Sequence, residues 1–294
     1  MKLHEGPAPL EGEALIAAAQ GCDMIVSYRQ SPGPAAVFER LPKLIAFLRC
    51  AIDIRNVDVP AASKAGVLVT QASAGFVTSV AEQVFGSLID LSRGITRSAE
   101  LYHRNEVPGA RMGRELKGST LGVIGYGAIG KEVVRIAKAL GMKVLIHDPY
   151  KKVKQVSMDK LLAQSDYVVP LAVATAETEN LINENALKAM KRGAYLINVS
   201  RGNLVDEQAL EAALASGHLG GCAIDVGRAT DQMPTPRLAA RADVIATPHT
   251  AGLTRPAIEH QSMETVAQAG AIAKGRAPKG AVNAKHWTRK ALLR

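Results

Sequence analysis

The chain has 294 residues, 47% of them apolar, 21% charged and 4% aromatic. That length suits two domains of roughly 100–200 residues each, and the apolar content excludes a disordered or low-complexity polypeptide. No apolar run reaches the ~18 residues of a membrane span, and Met1–Pro7 has no apolar signal core, so a cytoplasmic protein without a membrane partner is expected. The longest apolar stretch, Leu44–Ile52, is interrupted by Arg49. Cys22, Cys50 and Cys222 are odd in number and lack metal-like spacing, which points to free thiols and to neither a disulfide frame nor a metal site. Basic residues exceed acidic ones by 36 to 27, a net charge of +9. Lys274, Arg276, Lys279, Lys285, Arg289, Lys290 and Arg294 lie in an acid-free tail whose one aromatic is Trp287. Without stacking residues the tail reads as a solvated end that steers anionic ligands; a nucleic-acid surface is the weaker alternative.

In chain order, short strands are predicted at Asp23–Ser27, Lys43–Leu48 and Val67–Thr70, with helices around Pro34–Arg40 and Pro60–Lys64. A single long helix is expected from Thr78 to His103, followed by a loop over Arg104–Lys117. Strands then recur at Leu121–Gly125, Lys143–His147, Asp166–Pro170, Ala194–Val199, Cys222–Val226 and Val244–Thr247. Helical patterns between them cover Ile129–Leu140, closed by Gly141, Asn183–Lys191, and Asp206–Ser216, opened by Asp206 and closed by Gly217. Strands that are apolar throughout are buried on both faces, the mark of a parallel sheet. The expected fold is α/β, a doubly wound parallel sheet of the Rossmann kind beside a smaller, flavodoxin-like α/β domain.

Gly125-Tyr126-Gly127-Ala128-Ile129-Gly130 is a GxGxxG turn between a predicted strand and a predicted helix. Its glycines allow a tight turn, close approach of a pyrophosphate and close helix packing, while the helix N-terminus offers unpaired N–H groups. Asp148 closes the next strand, where a carboxylate hydrogen-bonds the adenosine ribose and favours NAD; Lys151, Lys152 and Lys154 nearby leave NADP open. Arg201 follows the fourth strand and His249 the sixth, so both belong to the carboxyl edge where open parallel sheets bind ligands. Arginine clamps a carboxylate with two parallel hydrogen bonds, and histidine passes a proton near neutral pH. Together they suit hydride transfer to and from a small anionic 2-hydroxy or 2-oxo acid.

The chain resembles the D-2-hydroxyacid dehydrogenase family, in particular its D-3-phosphoglycerate dehydrogenase-like members. The resemblance runs through Asn56-Val57-Asp58, Val80-Ala81-Glu82-Gln83, Gly125–Gly130, His147-Asp148-Pro149, Asn198–Gly202, Ala223-Ile224-Asp225-Val226 and Thr247–His249. It implies that Arg201 holds the substrate carboxylate and carbonyl and that His249 is the general acid/base. It also implies cofactor contacts from Val173, Thr178, Val199, Ser200, Arg201, Asp225 and His249, beside the glycine turn and Asp148. Arg29, Ile52 and Asp53 are the implied substrate contacts, with Arg29 at the distal, phosphate end. It further implies a homodimer formed through the cofactor domain. The expected domains are residues 91–258 for NAD and residues 1–90 with 259–294 for substrate. An NAD-sensing binding protein without turnover is the alternative on the same scaffold.

Three positions depart from the family pattern. Thr230 stands where the family has a catalytic Glu, and Asp231, one residue on, is the candidate replacement. Asp53 stands where glycine is usual; its side chain is either a solvated loop charge or turned to Arg55 or Arg29. Against the family pattern the first βα unit is expected to be missing, with Lys2–Glu5 as what remains of the second strand.

Overall fold

Nine strands form two wholly parallel sheets among residues 1–6 and 8–293, the residues described by the computed structural model. The chain divides into one unit made of Met1–Gly75 with Arg255–Arg294 and a second, Phe76–Thr254.

In the first unit α1 (Gly12–Ala18), β1 (Met24–Ser27), α2 (Ala35–Arg40), β2 (Ala46–Arg49), α3 (Val59–Lys64) and β3 (Leu68–Gln71) follow one another. The strand order is β1-β2-β3, with Val26 opposite Leu48 and Leu48 opposite Thr70. Side chains alternate across the sheet. Ile25, Phe47 and Val69 pack with Leu15, Val37 and Phe38 on one face. Ala46, Leu48 and Leu68 meet Ile272 and Trp287 on the other. Covered on both sides, β2 is buried along its whole length, which is why its sequence is unbroken by polar residues until Arg49. Lys2–Glu5 forms no strand, contrary to expectation. The Lys2 ammonium instead donates to Ala18 O and Gln20 O (3.2 and 2.8 Å), satisfying carbonyls at the end of α1.

The second unit opens with α4 (Val77–Arg93) and α5 (Ile95–His103), so the single helix expected over Thr78–His103 is two. Gly94 adopts φ 67° between them, a left-handed stop that glycine takes without a Cβ penalty. The Asp90 carboxylate then accepts from Thr96 N (2.8 Å) and restarts the chain as α5. There follow β4 (Thr120–Ile124), α6 (Ala128–Ala139), β5 (Lys143–His147), α7 (Met158–Gln164) and β6 (Tyr167–Pro170). Next come α8 (Glu184–Ala189), β7 (Tyr195–Asn198), α9 (Glu207–Ala215), β8 (Gly221–Ile224), α10 (Pro236–Ala239) and β9 (Val244–Ala246). Asp206 caps α9 by accepting from Gln208 N and Ala209 N, and Gly141 and Gly217 take positive φ as helix stops.

The sheet order is β5-β4-β6-β7-β8-β9. Residues of α4 and α6 (Val80, Val84, Leu88, Val133, Val134) bury one face, and residues of α7, α8 and α9 (Leu161, Leu187, Leu210, Leu214) bury the other. The order reverses between β4 and β6, which opens a crevice beyond their carboxyl ends. From Thr254 the chain returns to the first unit as α11 (Arg255–Ala273), whose Ile272 packs beside Leu48. Among the described residues no helix is long and apolar enough to cross a membrane.

Candidate active site

The glycine turn sits at the crevice. Gly125 has φ +98°, and a Cβ there would stand 2.7 Å from Ala172 N and Leu171 C. A Cβ on Gly130 would lie 2.3 Å from Gly125 O, so α6 packs directly on the turn. A Cβ on Gly127 would meet nothing within 4 Å. The first and third glycines are therefore required by the protein's own packing, whereas the second faces open space beside Ala128 and Ile129 at the N-terminus of α6. That is the cradle a dinucleotide's pyrophosphate fits.

Asp148, buried, ends β5 and accepts from Tyr126 N (2.7 Å) and Tyr150 N (3.0 Å). Its carboxylate thus ties the glycine turn to the β5 loop, and its remaining lone pairs suit ribose hydroxyls. Beyond β6, Val173 is exposed, and the Thr178 hydroxyl donates to Val173 O (2.6 Å) and accepts from Thr175 N (2.8 Å), folding this lip of the crevice. Tyr150 and Glu177 hydrogen-bond from the two lips; the adjacent carboxylate pushes the Tyr150 phenol above its usual pKa.

At the end of β7 the buried Asn198 builds the next loop: its Nδ2 donates to Arg201 O (2.9 Å) and its Oδ1 accepts from Ser200 N (3.1 Å). Val199 is buried beneath it, and Ser200 Oγ donates to Ala172 O (3.3 Å). Arg201 is half-buried, with Nη1 on Ser200 O (2.8 Å).

Asp225 does the same work at the end of β8. Buried to 2% exposure, it accepts from Thr247 Oγ1 (2.5 Å), Thr250 N (2.8 Å) and Ala251 N (2.9 Å). These bonds bracket His249, whose own N–H donates to Asp225 O (2.9 Å) and whose φ is 56°. The carboxyl ends of β7 and β9 flank β8, about 10 Å apart at ordinary strand spacing, so Arg201 and His249 share one sheet edge with the glycine turn. His249 Nδ1 lies 2.8 Å from the main-chain oxygen of Asp231, which fixes the tautomer with the proton on Nδ1.

Arg29, Ile52 and Asp53 lie in the first unit, in the loops that follow β1 and β2. The Asp53 carboxylate pairs with Arg55 through Nη2 (2.6 Å) and Nε (3.0 Å), one of the two arrangements the sequence suggested. The residue that holds these loops is Arg49, fully buried and not singled out from sequence. Its guanidinium donates to Tyr28 O, to Ser31 O (2.9 Å) and to Asn56 Oδ1 (2.7 Å), while Asn56 Nδ2 donates to Arg29 O (2.9 Å). Burial pushes its pKa down to about 10, against the opposing pull of Asp53. The signal in sequence was a lone cation inside an otherwise apolar run, a place where a charge persists only if hydrogen bonds offset its burial; here both Nη groups are bonded, while Nε has no hydrogen-bond partner among the described residues.

Residues 85–251 match the family model described as D-isomer specific 2-hydroxyacid dehydrogenase, NAD binding domain. The chain is 32% identical to a glyoxylate reductase of Korarchaeum cryptofilum over 96% of this chain and 89% of that protein. It is 34% identical to an (S)-sulfolactate dehydrogenase of Chromohalobacter salexigens, over 86% of this chain and 85% of that one. Among solved structures, D-lactate dehydrogenase from Aquifex aeolicus, complexed with NAD and lactic acid, superposes with a TM-score of 0.76 at 29% identity, covering 92% of this chain and 86% of that one.

Proposed function

The chain belongs to the D-isomer-specific 2-hydroxyacid dehydrogenase family and is an NAD-dependent oxidoreductase of small 2-hydroxy acids, and we propose that Arg201, His249 and Asp231 carry its chemistry. The observation that carries this assignment is the Asp225 carboxylate, whose three hydrogen bonds lock the β9 loop and hold His249 on the sheet edge that Arg201 shares. Arg201 binds the substrate carboxylate and carbonyl through its planar fork. With Nδ1–H engaged by Asp231, His249 presents Nε2 as the proton acceptor for the C2 hydroxyl in oxidation and, once protonated, as the donor to the keto oxygen in reduction. NAD, when bound, supplies the hydride acceptor, or as NADH the donor.

The dinucleotide is assigned to Phe76–Thr254: pyrophosphate at Gly127–Gly130, ribose at Asp148, and Val173, Thr178, Val199, Ser200 and Asp225 along the groove. Asp148 favours NAD over NADP, because a carboxylate at the ribose repels a 2′-phosphate. Ile52, Asp53 and Arg29 are proposed as further substrate contacts, with Arg29 for the substrate's distal end. Relatives acting on glyoxylate and on sulfolactate bracket that end between no group and an anion. A cytoplasmic homodimer formed through Phe76–Thr254 is also proposed. α5 buries none of its own residues and leaves Ile95 and Tyr102 exposed, and Val107 and Met112 in the loop after it are 85% and 94% exposed.

The test is NADH oxidation against glyoxylate, pyruvate, hydroxypyruvate, phosphohydroxypyruvate and sulfopyruvate. Turnover on at least one, lost in Arg201→Met and His249→Gln with NADH binding retained, is expected. NADH binding with no turnover on any of them overturns the reading.

A further inference from the structure

His249 meets Asp231 through that residue's main chain, and the backbone around the contact is unusual. Asp231 (φ 56°, ψ 25°) and Gln232 (φ 57°) are consecutive left-handed residues, neither of them glycine. Such conformations cost about 1–3 kcal/mol each and persist where surrounding structure over-determines them. That structure is present. Gly227 N donates to Gln232 O (2.8 Å) and Ala229 N to Met233 O (3.0 Å), closing the segment on itself. Glu207, the first residue of α9, clamps it from below by accepting from Arg228 N (3.0 Å) and Thr235 Oγ1 (3.0 Å). The Arg228 guanidinium reaches Glu179 (2.8 Å) and Val205 O (3.2 Å). The product of these restraints is one carbonyl, Asp231 O, aimed at Nδ1 of His249.

We propose that Asp231 is a positioning residue that acts through its main chain: left-handed backbone at this position presents the carbonyl that fixes the His249 tautomer, and this arrangement takes over the orienting role at the site where Thr230 supplies no carboxylate. The inference rests on His249 being the acid/base group. It explains why Asp stands at 231, since Asp, Asn and Gly tolerate left-handed backbone and β-branched residues do not. A carboxylate role and a conformational role therefore separate by substitution. Asp231→Asn and Asp231→Gly keep the backbone without the charge, and Asp231→Val removes both.

The experiment is ¹⁵N NMR of protein labelled at its seven histidines, with His249 assigned from the His249→Gln difference spectrum, alongside kcat and KM with glyoxylate and NADH. Wild type, Asp231→Asn and Asp231→Gly are expected to hold neutral His249 as the Nδ1–H tautomer, whereas Asp231→Val shows the Nε2–H form. Since general acid–base catalysis is worth ~10²–10⁴-fold, kcat of Asp231→Val should fall about 10-fold or more below that of Asp231→Gly, with KM for NADH little moved. Loss of the tautomer in Asp231→Asn, or its retention in Asp231→Val, overturns the proposal. The Asn and Gly spectra decide it even where Val fails to fold. The tautomer is read without substrate, so absence of turnover in wild type would refute the assigned reaction and leave this result standing.

Discussion

The three glycines of the turn make the sharpest separation of packing from binding. In Gly130→Ala the new methyl would stand 2.3 Å from Gly125 O, well inside contact distance. The obstacle is backbone, so the turn or α6 must move by about 1 Å; overpacking costs about 1–3 kcal/mol, and a backbone clash this close belongs at the upper end, about 2–3 kcal/mol, which the ~1 kcal/mol helical preference of Ala over Gly reduces to about 1–2 kcal/mol. In a unit of this size 1 kcal/mol moves the midpoint about 2–4 °C, so a fall of roughly 2–8 °C is expected. Gly127→Ala is the opposite case. Its φ of −75° suits alanine and nothing lies within 4 Å of the new methyl. Its unfolded chain loses freedom, which raises stability by about 0.4–1 kcal/mol where the native backbone is compatible. The same methyl projects into the open cradle. Losing one or two charge-assisted bonds to the pyrophosphate, at about 1.5–3 kcal/mol each, weakens NADH binding roughly 10- to 100-fold or more. Thermal melts without cofactor and titration of NADH fluorescence read the two effects independently. Wild-type affinity in Gly127→Ala, or a wild-type midpoint in Gly130→Ala, would refute the reading of the turn.

Asp148→Ala should lower the NADH-to-NADPH affinity ratio by at least about 10-fold in the same titration, since it removes the carboxylate that repels a 2′-phosphate. Asp225→Asn replaces an acceptor of three donors with a group carrying two N–H donors of its own; a loss of about 2–4 kcal/mol in urea unfolding is expected. Arg49→Met strands the carbonyls of Tyr28 and Ser31 and should cost about 2–4 kcal/mol, with Arg49→Lys between it and wild type. Burial raises the Asp166 pKa, but the Lys191 ammonium (2.5 Å) and Thr120 N–H (2.8 Å) outweigh it and hold the group below 3.8. A depressed carboxylate stabilises the fold above its unfolded pKa and loses that contribution as pH falls through the folded value. Lys191→Met should therefore be less stable than wild type at pH 7, by no more than about 1 kcal/mol for so exposed a pair, and the gap should close below pH 3.8.

What was legible in the sequence is what short spacing encodes. Gly125–Gly130 could be read because its first and third glycines answer local demands, and Arg201 and His249 because they follow apolar strands whose ends must share an edge, whereas Asp225 was reached only through the family resemblance. Gly94 escaped because the apolar pattern of α4 runs up to it, and one glycine's choice of φ is decided by Asp90 and Thr96 around it. Arg49 escaped for a different reason. Two of its partners are main-chain carbonyls of the loop after β1, 18 and 21 residues away, and main-chain carbonyls leave no mark in a sequence; only the third, the Asn56 side chain, does. The same holds for Asp231 O: the residue could be picked out by its neighbourhood, but its useful atom belongs to every amino acid.

The two strand-end aspartates show how far one residue type can be divided between scaffold and ligand. An ionised carboxylate offers about four acceptor sites. Asp148 gives two of them to Tyr126 and Tyr150, leaving about two for a ribose diol, which matches its assignment as a cofactor contact. Asp225 gives three to Thr247, Thr250 and Ala251, leaving about one. It is therefore chiefly a strut under His249, and a substitution there acts on the imidazole's position before it acts on the nicotinamide. Loss of cofactor affinity in an Asp225 variant would accordingly follow the loss of stability, whereas in an Asp148 variant it would exceed it.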